Sequence, residues 1–162
     1  DEKGIGTFYV DGEPFFMHSG EIHNSSASTL AEMENQIWPQ VKQLNLNSLI
    51  VPIYWECLEP EQGKYDFTLI DGIIKQARAE NTKLVFLWFG LWKNAESMYV
   101  PGWVKKDTDK FFLAKKVNGD RINTISPLCH EAVEADKKAF AAIMAHIKAI
   151  DEKYGRDSSD FY

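Results

Sequence analysis

Two stretches, Ser48-Leu-Ile-Val-Pro-Ile-Tyr54 and Lys83-Leu-Val-Phe-Leu-Trp-Phe89, are apolar beyond their first residue and show no alternation of faces. A strand with one wet side alternates, so such runs suit parallel strands covered on both sides. Between them Leu69, Ile70, Ile73, Ile74 and Ala77 recur at helical spacing, predicting a helix that ends near Glu80. Parallel neighbours need a crossover of this kind.

The same order extends toward the N-terminus. Thr7 to Val10, Asp11-Gly12 and Pro14 to Met17 read as a hairpin, because Asp-Gly tolerates the positive φ values of a tight turn. Its second arm continues into a first parallel strand through Ile22. Ser25 to Thr29 offer N-cap candidates for a helix carrying Leu30, Met33, Ile37, Val41 and Leu44, with a kink or restart expected near Trp38 because Pro39 lacks an amide hydrogen. After the third strand, Gly90 to Thr124 reads as a long connection, with a ribbon from Phe111 to Asn123 turning at Asn118-Gly119. Ser126-Pro127 then supplies a cap and first position for a helix that runs to about Tyr154, stops at Gly155 and leads into a polar turn from Arg156 to Asp160.

These strands and the loops that follow them hold three ordered motifs. They are Ser19-Gly20-Glu21-Ile22-His23; Trp55-x-x-x-Glu59-Pro60-x-x-Gly63-x-Tyr65-Asp66-Phe67; and Asn94-Ala95-Glu96 followed by Val100-Pro101-Gly102-Trp103. Trp55 to Pro60 reads as a rigid, aromatic, acidic loop at a strand's C-terminal end, where barrels of alternating strands and helices place their ligand-binding loops. Together the three motifs resemble β-galactosidase-like glycoside hydrolases of clan A, family thirty-five in particular, over a span from about Phe8 to the end. The resemblance implies an α/β fold: the N-terminal portion of a (β/α)8 TIM barrel, about three βα units between residues 15 and 154. A β-hairpin over 7–18 precedes them, and 1–162 forms a single partial domain.

A complete barrel takes roughly 250 residues, and this chain has 162. In the family the acid/base is a Glu in an Asn-Glu pair at the end of the fourth strand, and the nucleophile is a Glu near the seventh. Neither has a counterpart here, since the chain stops at Phe161-Tyr162, where the fourth strand is expected to begin. Retaining glycosidases work with two carboxyl groups about 5 to 5.5 Å apart. Glu21, Glu56, Glu59 and Glu96 lie near predicted strand ends, but the family pattern assigns none of them to either role. The expectation is a retaining hydrolase of terminal β-galactosides in the full-length parent, with this chain catalytically inert alone.

What the resemblance leaves to this chain is part of the sugar pocket. Asn94 and Glu96 offer an amide and a carboxylate to sugar hydroxyls, the alternative being a helix cap or a solvated loop. Glu21 either binds a hydroxyl or pairs with a buried base; Trp55 either stacks on a sugar or closes the core. Pro52 stands where the family often has Tyr, and Glu56 where it often has Asn. Glu59, Pro60 and the Tyr65-Asp66-Phe67 run read as structural, with Glu59 pairing inward and Phe67 turned to the core. Trp88, Trp92 and Trp103 read as packing or rim residues.

Composition narrows the remaining classes. A net charge of −6 without a basic cluster argues against nucleic acid as a partner. No apolar run approaches the ~20 residues of a membrane span. His18, His23, His130 and His146 lack metal-ligand spacing, Cys57 and Cys129 form no framework, and no cofactor is expected. No Gly-x-Gly-x-x-Gly follows a strand to support a dinucleotide-binding domain. The expected partner is a β-galactoside, and the open sheet edges predict self-association or pairing with a missing C-terminal part of the barrel. The family suggests a periplasmic or secreted location. A non-catalytic carbohydrate-binding or scaffold protein derived from such a barrel is the alternative.

Overall fold

The computed structural model describes residues 4, 6–154 and 160–161. Its centre is a four-stranded parallel sheet in sequential order: β3 (Ser19–Glu21), β4 (Ser48–Tyr54), β5 (Lys83–Phe89) and β8 (Asp160–Phe161). β4 and β5 pair over their whole length, from Ser48↔Lys83 to Tyr54↔Phe89. Helical segments cover one face. They are α1 (Leu30–Glu32), a π-helical turn (Met33–Ile37) and α2 (Trp38–Gln43) after β3, α4 (Thr68–Ala79) after β4, and α6 (His130–Tyr154) after β5. Two antiparallel ribbons flank the sheet: β1 (Tyr9–Val10) with β2 (Glu13–Pro14), and β6 (Leu113–Lys115) with β7 (Arg121–Ile125).

Side-chain parity assigns the two faces. Leu49, Val51 and Ile53 of β4 and Leu84 of β5 are buried, and Trp88, on the same face of β5, contacts Asp136 and Phe140 of α6, so this face meets the helices. Glu21, Ile50, Pro52, Tyr54, Val85, Leu87 and Phe89 therefore share the helix-free face, which in a barrel faces the axis. Pro52 is tolerated in an inner strand for a geometric reason. Ile22 N–H donates to Ile50 O, so Ile50 and Pro52 direct their backbone groups toward β3, and β3 ends at Glu21 before Pro52 would need to donate.

Local chemistry explains where the elements begin. Thr29 caps α1 by accepting from Glu32 N–H at 3.1 Å. The irregularity expected near Trp38 takes the form of the π turn, and Pro39 then sits in the first turn of α2, where its missing N–H costs nothing. Leu44 is exposed and lies past α2, outside the apolar stripe. At the first ribbon Asp11 and Gly12 carry φ values of 55° and 84°, as a two-residue hairpin turn requires.

Three expectations are corrected. Trp55 to Leu58 is a helical turn, α3, rather than a loop. The connection after β5 contains α5 (Gly102–Lys106), which starts behind Pro101. The last helix begins at His130 and not at Ser126-Pro127. Ser126 Oγ accepts from Leu128 N–H at 3.2 Å and Ser126 O from Cys129 N–H at 2.9 Å, so its capping capacity closes a turn ahead of the helix. The stop at Gly155 and the turn after it lie outside the described residues. Among those described, no helix is long and apolar enough to cross a membrane.

Polar side chains lace the helical layer. Trp38, nearly buried, donates its indole N–H to Gln76 Oε1 at 2.9 Å, and Gln76 Nε2 donates to Leu30 O at 3.3 Å, joining α2, α4 and α1. His146 of α6 meets Asp71 of α4 at 2.6 Å and stacks on Phe67 at 3.8 Å between centroids. Gln76→Ala orphans the Trp38 N–H and removes the bridge. The expected loss is about 1–3 kcal/mol in urea unfolding, against almost none for Lys75→Ala on the exposed side of the same helix.

Candidate functional site

At the C-terminal end of the sheet the helix-free face closes with aromatic rings. Tyr54 and Phe89, register partners, meet edge-on at 5.8 Å, and Tyr99 stacks on Tyr54 at 5.2 Å and leans on Phe89 at 5.0 Å. The Tyr54 hydroxyl accepts from Ala27 N–H at 3.1 Å, and Tyr99 shares a hydrogen bond of 3.0 Å with Ser25 Oγ. This ties the segment after β3 to the ends of β4 and β5. Burial pushes the Tyr54 phenol up to about 12, so it remains a neutral wall.

Above this floor the chain turns back on itself between Lys93 and Glu96. Lys93 N–H donates to Glu96 O at 2.8 Å and Glu96 N–H to Lys93 O at 3.0 Å, with Asn94 and Ala95 at φ 54° and 62°. Both central residues thus occupy the left-handed region, tolerable for Asn and strained for Ala. Neighbouring groups hold the turn. Thr124 Oγ1 donates to Ala95 O at 2.6 Å, Ser97 N–H to Asn123 O at 3.3 Å, and Ile125 N–H to Ser97 Oγ at 2.9 Å. Strand β7 is therefore the splint of this loop. Asn94 and Glu96 are exposed on it, two residues apart.

The other expected site residues are placed differently. Glu21 is exposed on the helix-free face, level with Ile50, four residues short of the Tyr54–Phe89 floor. Trp55 is wholly buried, which corrects its reading as a sugar-stacking ring. Its indole N–H donates to Glu59 Oε2 at 2.7 Å and its ring meets Trp103 edge-on at 5.9 Å. Of its two readings the core-closing one fits, because a ring without accessible surface offers no face to a ligand. Glu59, 4% exposed, also accepts from Gly63 N–H at 2.7 Å, and Trp103 N–H donates to Glu59 O at 3.0 Å, so this motif braces the loop after β4. Glu56 pairs with Lys105 at 3.0 Å. Trp92, 41% exposed, donates to Ile125 O at 2.9 Å and belongs to the β7 side of the turn.

One structural group was not signalled by the sequence. Asp136 of α6 accepts from Trp88 Nε1–H at 2.8 Å and from Leu91 N–H at 3.4 Å, fixing the exit of β5 from which the turn departs. It needs Gly90: a Cβ there would lie 2.2 Å from Asp136 Oδ1. No motif marks Asp136, an acid in a helix rich in acids and lysines. Among the described residues no group of three His, Cys, Asp or Glu could hold a metal, and both cysteines are free. Burial, with Glu56 and Asp66 nearby, pushes the Cys57 thiol up and away from reactivity.

Burial also raises the Asp136 carboxyl above the ordinary range, its two hydrogen bonds opposing the shift only in part. The folded chain thus holds this proton at pH values where the unfolded chain has released it. The stability Asp136 contributes is full below the ordinary carboxylate value and declines as pH rises through the raised one. Urea melts from about pH 3 to pH 7 should show that decline shrink in Asp136→Asn; an unchanged slope contradicts the assignment.

Comparisons with known proteins bear on the family and the fold. The profile of glycosyl hydrolases family 35 matches residues 7–115, from the N-terminal ribbon to the end of β6. Beta-galactosidase 11 of Arabidopsis thaliana is 29% identical over 107 residues, covering 64% of this chain and 12% of that protein. The beta-galactosidase of Xanthomonas manihotis is 27% identical over 88 residues, covering 49% and 14%. The chain therefore spans a small part of the relatives' length. Among solved structures, an exo-beta-1,4-mannosidase, Op5Man5, from Opitutaceae bacterium strain TAV5 superposes with a TM-score of 0.60 at 18% identity, over 90% of this chain and 24% of that one. The catalytic domain of a beta-amylase from Paenibacillus polymyxa gives 0.62 at 13% identity, over 83% and 34%. At such identities the likeness is one of fold, and the fold is of the TIM-barrel type.

Proposed function

We propose, from the premise that this chain belongs to glycosyl hydrolases family 35, that it forms the opening wall of a retaining β-galactosidase barrel that removes terminal β-galactosides. The observation that carries the reading is the strained, splinted turn from Lys93 to Glu96. It presents Asn94 and Glu96 at the C-terminal end of β5, beyond a buried cluster of Tyr54, Phe89 and Tyr99 that supports the turn from below. In a TIM barrel this is the face that holds substrate. Backbone strain held by hydrogen bonds from outside the loop is a feature of binding sites.

The roles divide by position. Glu96 accepts, and Asn94 donates and accepts, hydrogen bonds to galactose hydroxyls, and Glu21 approaches from the β3 side. Trp55 acts through Glu59 and Trp103, keeping the β4 loop in place. The reacting acid/base and nucleophile lie outside these residues. Glu59 is buried on two donors, and Glu56 is tied to Lys105. The outer strands of the parallel sheet, β3 and β8, support pairing with further barrel strands or with a second copy. We extend the family reading to a periplasmic or secreted location.

Two measurements test the proposal. The 162-residue chain alone should release no chromophore from a chromogenic β-galactoside, and turnover at ordinary enzyme rates would place the acids within it. In the protein encoded by the complete reading frame, Glu96→Ala should lower kcat/KM about 10- to 100-fold, the range for a hydrogen bond to a charged group. Glu61→Ala, at an exposed residue paired with Lys64, should change it little. Equal effects of the two substitutions would remove Glu96 from the site.

A further inference from the structure

Lys93 belongs to none of the three motifs, yet it closes the same turn that carries Asn94 and Glu96. Lys93 and Glu96 form the hydrogen-bonded pair of a two-residue turn, so their side chains project to the same side. Trp92 and Ser97, one step outward, take the opposite side and reach Ile125 of β7, as the parity requires. The Lys93 ammonium lies 4.4 Å from the centroid of the Phe89 ring, on the helix-free face. Its neighbours below are Tyr54 and Tyr99. Lys93 is half-buried, and among the described residues it forms no ion pair, whereas Lys105 at the same end of the sheet is matched by Glu56 at 3.0 Å.

The geometry points to Lys93 as a specificity-determining residue that binds an oxyanion carried by the galactoside, a carboxylate or a sulfate. This rests on the galactoside reading of the same pocket and narrows its substrate class. Asn94 and Glu96 already offer donors and acceptors to neutral hydroxyls, while a lysine adds three donors, no acceptor and a full charge. A half-buried ammonium held over an aromatic ring loses part of its water, and the ring quadrupole offsets that loss only in part. A ligand of opposite charge offsets the remainder, and a hydroxyl does not.

The test uses the protein of the complete reading frame and three probes: methyl β-galactoside, its 6-sulfate, and methyl β-galacturonide. Calorimetric titration should show one anionic probe binding about 10-fold or more tightly than the neutral one, and the preference should shrink as salt rises. The sulfate and uronide arms tell the two sources of the oxyanion apart. Lys93→Met should abolish the preference while changing neutral affinity less than about 2-fold, and Lys93→Arg should keep it. If the neutral probe binds as well as both anions, or if Lys93→Met weakens all three equally, Lys93 does not select charge and the inference falls, leaving the galactoside reading intact. If none of the three binds, both readings fall. The salt dependence of the unmodified protein decides the matter should the variants fail to fold.

Discussion

The in-register parallel pairing of β4 with β5, Ser48↔Lys83 through Tyr54↔Phe89, is the constraint on which the rest of this chain depends. Once the register is set, every odd residue of β4 and every even residue of β5 faces the helices, and the others face the axis. That parity puts Trp88 against Asp136 and Phe140, and it puts Tyr54 beside Phe89 at the sheet's end. A slip of one residue would exchange the two sets. Trp88 would then stand beside Tyr54 and Tyr99, and Phe89 would meet α6. The aromatic floor is thus a consequence of strand register rather than of the loop sequences above it.

Strands of this kind are the most legible part of the sequence. Ser48–Tyr54 and Lys83–Phe89 are recovered with both ends correct because a strand buried on two sides is written as an unbroken apolar run, ended by residues with another task. Asn45 and Asn81, before the two strands, stand at φ 50°, where a short polar side chain is tolerated and a helix or strand cannot continue. Capping signals are less decisive. Ser126-Pro127 satisfies the grammar of a helix start, yet the Ser126 hydroxyl serves Leu128 N–H and the helix waits until His130. A hydroxyl can end a turn or begin a helix with the same bond, and only the tertiary path separates the two.

The candidate site is legible in its motifs and not in its orientations. Asn94 and Glu96 come from one short motif, so their proximity follows from the sequence, while the tight turn that holds them is a finding of the structure. Trp55 is different. Its place at the end of β4 says that it lies near the mouth, but which way it turns depends on Glu59 four residues on and on Trp103 of α5, a helix the sequence pattern did not reveal. Asp136 is further from reach: the bond to Trp88 joins positions 48 residues apart, and an Asp in an amphipathic helix carries no mark of such a partner. Lys93 was hidden for the opposite reason, being an ordinary solvated residue until the turn brings it over Phe89.

The strain at Ala95 shows how scaffold and site are joined. A non-glycine residue in the left-handed region costs on the order of 1 kcal/mol, which an isolated loop would relieve by rearranging. Here relief is blocked at three points: Thr124 holds the Ala95 carbonyl, Ser97 is bound to Asn123 and Ile125, and Asp136 anchors Leu91 where the loop departs. The β6–β7 ribbon therefore acts at a distance, converting its own antiparallel pairing into a fixed direction for Lys93, Asn94 and Glu96. A βα loop braced this way keeps a defined course over a long excursion after β5, because a neighbouring strand fixes its backbone.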